Sequence, residues 1–284
     1  DSNRYLMRVD DSSGNRGPQC SFDEKKNSQC FITYLNFLIR INSHVFYSFL
    51  TNLEDEENAE NRSAFKLFEI IWKKLKENDS DVCFACINFL TSILNYDAKC
   101  VNYLFEIDIS DHMSDLLENT KIKDDVKVSG ALMVERIIGL NLDACIRFVD
   151  SNYITVIEKF VNSCYINDQY IAIHFISALM AYSTDTTISN LLVSFDLTEK
   201  IIDFLNADNH VIVCDLLSAI NSNWEIAKTS GIGNEFIGSI VDLKHNEDFI
   251  SALDYIVTED NKQASELAQL LLDSIHNDND DDDE

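Results

Sequence analysis

From Val82 to Leu94 the chain is almost wholly apolar: Val82, Phe84, Ala85, Ile87, Phe89, Leu90, Ile93 and Leu94 are interrupted by Asn88, Thr91 and Ser92 alone among polar residues. Such a run predicts a helix buried on nearly every side rather than an amphipathic surface helix. Asn95-Tyr96-Asp97 is a turn signal. A second helix follows, with Cys100, Val101, Leu104 and Phe105 at helical spacing. A sharp turn at Ile107–Ser110 leads to a third, with Met113, Leu116 and Leu117 on one face. Asp111 and Asp115 sit near its start, where the helix dipole favours acids.

The same order returns in Asp125–Asp168. Val126 falls under Val82, Phe148-Val149 under Leu104-Phe105, and Val161 under Leu117, each within a residue. It returns again at Gln169–His210 and, shortened, at Val211–Asp248. Units of about 38 to 44 residues cannot bury their own apolar faces and must stack on one another. Upstream, Ser28 is the expected cap of a helix over Cys30–Ile41, Ser43 of one over His44–Leu53, and Ser63 of one over Ala64–Lys76. Phe249–Val257 and Gln263–His276 form a closing helical pair with a polar outer face. One Pro and seven Gly are too few for the turns of a sandwich or barrel. The expected organisation is a flexible arm over 1–27, one helical repeat domain over 28–277 and a disordered acidic tail over 278–284.

This arrangement resembles the armadillo repeat, in which a short first helix is followed by a bend and two longer antiparallel helices. Ser230-Gly231-Ile232 looks like the bend, and Asp108-Ile109, Asn152-Tyr153-Ile154 and Asp196-Leu197 occupy equivalent places. The resemblance spans about Ser28–Asn277. It implies an all-α, armadillo-like right-handed α-solenoid of about five to six helical repeats. Its concave face, lined by the last helix of each unit, is then expected to bind a protein partner. Peptide-binding members carry a Trp and, one turn later, an Asn on that helix. Here the Trp positions hold Asn88, Leu132, Ser177 and Ser218, and the Asn positions hold Ser92, Arg136, Ala181 and Ser222. The missing ladder argues against importin-like capture of an extended basic peptide. The candidate contact strip consists of Asn36, Arg40, Asn88, Ser92, Arg136 and Ser222. The competing reading makes them ordinary solvated residues.

Charge narrows the partner. The chain carries 49 acidic against 22 basic residues, a net charge of −27. Nucleic-acid binding needs Lys and Arg to displace counterions, so direct contact with nucleic acid is not expected. A basic protein partner fits, with encounter hastened at low salt. Acidity that serves solubility alone fits equally well. No run reaches the length of a membrane span, and Asp1–Gln19 is too polar for a signal peptide. Most of the eight Cys fall at apolar helical positions, which suits free thiols in a reducing cytoplasmic or nuclear compartment.

Candidate chemistry is sparse. Cys83-x-x-Cys86 has metal or redox spacing, but a structural zinc needs four ligands and no second pair exists. The pair also lies inside an apolar helix, so core packing is the expectation. Gly231-x-Gly233-x-x-x-x-Gly238 resembles a phosphate loop loosely, without the required spacing or a following Lys-Ser/Thr. His174 falls in a buried helix and reads as a core histidine, not a base. No cofactor is expected. The leading reading is a non-catalytic scaffold, adaptor or regulatory subunit. An acidic nuclear chaperone or transport factor for histones or other basic proteins is the alternative, and an enzyme with an unrecognised site comes after it.

Overall fold

In a computed structural model of the chain, the apolar repeats become a stack of helices; the residues described are 20–40, 70–77, 79–96, 100–207, 209–230 and 234–281. Helix α1 covers Cys20–Arg40, and residues 70–75 are also helical. Three three-helix units follow: α2 (Ser80–Tyr96), α3 (Cys100–Glu106) and α4 (Ile109–Glu118); α5 (Asp124–Ile138), α6 (Leu142–Val149) and α7 (Asn152–Val161); α8 (Ile166–Met180), α9 (Thr186–Ser194) and α10 (Leu197–Leu205). Then come α11 (His210–Ser230), α12 (Glu235–Asp242), a 3-10 turn at Leu243–His245, α13 (Glu247–Val257) and α14 (Lys262–Asp281). No strand occurs among the described residues.

The longer helices α2, α5, α8, α11 and α14 pack side by side in that order, with α1 against α2. The short helices stack likewise, α4 on α7, α9 on α12 and α10 on α13. Each unit therefore leans chiefly on its sequence neighbours, the arrangement of an armadillo solenoid. Packing is mainly apolar: Ile87, Phe89, Leu90, Val134, Ile137, Phe175, Leu179, Leu216 and Leu217 are buried along the row of long helices. At Gly130 a Cβ would lie 3.3 Å from Leu116 Cδ2 and 3.5 Å from Met113 Sδ, so its missing side chain lets α5 settle against α4. Rings run through the stack, from Phe105 to Phe148 (5.6 Å), Tyr153 (5.3 Å) and Phe175 (5.2 Å).

Side chains cap the short helices where backbone N–H groups lack partners. Asn141 accepts from the amide of Ala144, Asp185 from Thr187 and Ile188, and Asn234 from Ile237, each opening the first short helix of a unit. The bends before α4 and α10 are made by Asp108 and Asp196, both left-handed at φ 53° and 50°. The intervening bend uses Ser151, whose hydroxyl accepts from the amide of Tyr153. Polar links one repeat apart fix the register. Lys123 reaches Asp81 (3.0 Å), Asn167 reaches Asp124 (3.0 Å), Lys159 reaches Glu118 (2.6 Å), and Lys200 reaches the carbonyl of Val161 (3.0 Å).

Three boundaries differ from the sequence expectation. Ser28 lies inside α1 rather than at its start, because a helix anchored downstream extends at little cost per residue. The fourth unit is not shortened: α13 stacks on α10 and supplies its third helix, leaving α14 as the next long helix. The polar residues that look like the end of the unit instead form a 3-10 turn at Leu243–His245 and the Asn246 cap, which accepts from the amides of Asp248 and Phe249 and opens α13. At the C-terminal end α14 continues into the acidic stretch as far as Asp281. The expected helices His44–Leu53 and the start of Ala64–Lys76, and the bend at Gly231-Ile232, lie outside the described residues.

Candidate functional site

The long helices bury one side and, among the described residues, leave on the other a stripe that is largely exposed or half-buried, with His174 and Ser177 the buried members at its centre. On α2 it runs through Phe84, Asn88, Ser92 and Asn95, and on α5 through Val128, Leu132 and Arg136. On α8 it runs through Tyr170, His174, Ser177 and Ala181, and on α11 through Val211, Asp215, Ser218, Ser222 and Glu225. Phe84, Leu132 and Val211 are exposed large apolar side chains on this strip.

The sequence-predicted residues are placed as follows. Asn36 is exposed on α1, and Arg40 ends that helix with its side chain outside the description. Asn88 and Ser92 are half-buried on α2, where the Ser92 hydroxyl donates to the carbonyl of Asn88 (2.8 Å). Arg136 is exposed on α5. Ser222 is exposed on α11, and its hydroxyl donates to the carbonyl of Ser218 (2.9 Å). Of the six, Ser222 alone borders the polar centre of the face.

That centre is a trough of about 220 Å³ between α5, α8 and α11, lined by Glu135, Ser177, Ala178, Ala181, Asp215, Ser218, Ala219 and Ser222. Small side chains keep its floor low. At one side His174 Nδ1 lies 3.2 Å from Asp215 Oδ2 and 3.5 Å from Glu135 Oε2. The imidazole side chain is only 6% exposed, whereas the two carboxylates are part-exposed at 36% and 30%. Neither carboxylate is aligned as a hydrogen-bond partner for Nδ1, and the hydroxyl of buried Ser177, one turn further along α8, also lacks a partner. Burial opposes charging His174, but Asp215 and Glu135 together outweigh it and raise the group to about 9. At neutral pH it is therefore an imidazolium between two carboxylates.

Sequence reading placed His174 in the core and missed both acids. Each of the three residues belongs to a different unit, about one repeat from the next, and the interruptions of register along the chain hide that alignment. The other motif candidates resolve as packing. Cys83 and Cys86 are fully buried, and the Cys83 thiol donates to the carbonyl of Glu77 (3.2 Å). Burial pushes Cys83 up to about 11 and raises Cys86 further, so both stay protonated thiols. Gly238 is inside α12, not in a loop. His112 stacks on Trp72 with centroids 3.4 Å apart.

The chain matches no protein-family model, and no curated protein resembles it in sequence. Solved structures do resemble it in shape. An engineered protein aligns with a TM-score of 0.64 at 14% identity, over 90% of this chain and 94% of its own. The designed armadillo repeat protein YIII(Dq)4CqI aligns at 0.56 and 15% identity, over 87% and 99%. A designed armadillo repeat protein in complex with the peptide (KR)4 aligns at 0.58 and 13% identity, over 87% and 98%. At such identities the likeness establishes the armadillo fold and nothing finer.

Proposed function

We propose that this armadillo-fold solenoid is a non-catalytic scaffold or adaptor that binds a protein partner along the uncovered face of its long helices. The observation that carries the reading is the strip itself. It places exposed Phe84, Leu132 and Val211 among Asn88, Ser92, Arg136 and Ser222, the mixture of apolar anchors and polar rim that protein interfaces use. A structurally similar designed protein is in complex with a strongly basic peptide, (KR)4, which supports peptide or protein binding by this shape. The partner is basic: 49 acidic residues oppose 22 basic ones, Asp215 and Glu225 lie on the strip, and Glu135 lines the trough at its centre. The Trp and Asn ladder is absent, so affinity comes from apolar anchors and charge rather than from an amide clamp on the ligand backbone.

Crosslinking and pull-down from the native source tests this when the wild type is run beside three variants. Leu132→Asp and Val211→Asp alter exposed face positions, and Glu199→Lys alters an exposed residue on α10 away from the strip. A partner recovered by the wild type and by Glu199→Lys, but lost by the face variants, is expected. Retention by both face variants overturns the assignment. Recovery that ignores added salt removes the basic-partner element alone.

A further inference from the structure

Two observations at the α5–α8–α11 junction point beyond an ordinary ion pair. The ring nitrogen Nδ1 of His174 is buried and faces two carboxylates without hydrogen-bond alignment, and the buried hydroxyl of Ser177 beside it is also unpartnered. Buried polar atoms are rarely left so, because each costs its full desolvation. The distances have a pattern as well. One ligand atom each from Glu135, His174 and Asp215 lies within 4.8 Å of the others, the sole such His/Cys/acid group among the described residues. Nδ1 stands 3.2 and 3.5 Å from the two oxygens. Ligands about 2.0–2.1 Å from a tetrahedral zinc are separated by about 3.3–3.4 Å from one another. The two nitrogen–oxygen separations are thus already those of two edges of a coordination tetrahedron.

We propose that Glu135, His174 and Asp215 form a binding site for a divalent transition-metal ion of the zinc class. One imidazole nitrogen with two carboxylates is a ligand set of mixed hardness. It suits zinc or its neighbours and disfavours magnesium and calcium, which take oxygen ligands alone. Binding is an exchange: the Nδ1 proton of His174 leaves to solvent, and the lone pair it occupied bonds to the metal. The ligands come from three consecutive long helices, so the ion ties three units together at once. Its remaining position is left to water, as three protein ligands leave a tetrahedral ion unfilled. The site concerns different contacts from the apolar anchors of the partner-binding reading, and either can fail without the other.

The experiment is equilibrium dialysis of the full chain against Zn2+ with excess Mg2+ present, followed by elemental analysis, and visible absorption of the Co2+-substituted protein. The excess Mg2+ occupies the many surface carboxylates that bind ions weakly. One zinc per chain is expected, with Co2+ bands of a low-coordinate nitrogen–oxygen site. Asp215→Asn and Glu135→Gln, at part-exposed positions, are each expected to weaken zinc binding by at least roughly tenfold. His174→Gln removes the single nitrogen ligand and should abolish the Co2+ bands. Because that residue is buried, its far-UV dichroism and melting without metal are compared with the wild type; if it does not fold, the two acid variants decide. No zinc retained above Mg2+, or zinc retained equally by Asp215→Asn and Glu135→Gln, overturns the site.

Discussion

Single side chains in this protein divide into those that the stack satisfies and those that it strands. Asn223 belongs to the first kind. It is fully buried, accepts a hydrogen bond from the Ser183 hydroxyl and donates to the carbonyls of Met180 (3.1 Å) and Ala219 (2.8 Å). Tyr153 belongs to the second. Its ring is fully enclosed between Phe148 and Phe175, and its hydroxyl has no partner. A stranded buried hydroxyl costs about 1–3 kcal/mol, while the ring contacts do not need it. Tyr153→Phe is therefore expected to raise unfolding free energy by about 1 kcal/mol, read from the urea midpoint at unchanged m-value. A loss of similar size would show that the hydroxyl has a partner in solution. Nothing in the sequence distinguishes Tyr153 from a satisfied core tyrosine, because the deficit depends on what the helices packed against it place around the oxygen.

At the scale of helices, the turns were more legible than the ends. Asp108 and Asp196 stand one and the same distance ahead of their short helices, and each adopts the left-handed conformation that a short polar side chain tolerates. Both are marked as bends in the sequence, Asp108 within the sharp turn at Ile107–Ser110 and Asp196 by the resemblance to the armadillo unit. The start of α1 was not legible, because Cys20–Asn27 carries no apolar stripe and is helical only as an extension of the packed part. The division of the fourth unit was hidden because the largely polar stretch from Asp242 to Asp248 reads as the end of a unit, whereas it holds a 3-10 turn and the cap of a third helix. The bend makes a sharp prediction. A β-branched residue is strained at positive φ, whereas glycine is not. Asp196→Ile should therefore be less stable than Asp196→Gly by roughly 1–2 kcal/mol in thermal or urea unfolding. Equal stability of the two variants would mean that the bend relaxes out of the left-handed region.

For the molecule as a whole, stacking between neighbours makes stability a local sum rather than a single shared core. Helix α8 holds the deepest position: Ile171 through Ser177 are buried without a break, with α5 on one side and α11 on the other. Helix α14, by contrast, alternates buried and exposed residues. Amide hydrogen exchange should be slowest in α8 and quicken steadily through α11 to α14. Uniform protection from α8 to α14 would instead mark the stack as one cooperative block. This gradient also explains what the sequence could yield. The repeat, the helical class and the stacking follow from apolar periodicity within each unit. The junction of Glu135, His174 and Asp215 does not, because its members share no local pattern and meet only when three units take their places.

The Ser183–Asn223 contact, extended by Asn234, whose amide donates to the Ser183 carbonyl at 2.6 Å, has a consequence for the order of the modules. Joints sealed by hydrocarbon alone accept any similar neighbour, so units can be duplicated, deleted or exchanged between chains. This joint is keyed. A transplanted unit lacking the matching amide would strand hydroxyl and carbonyl groups away from water, so recombination of modules would be tolerated elsewhere in the chain before it is tolerated here.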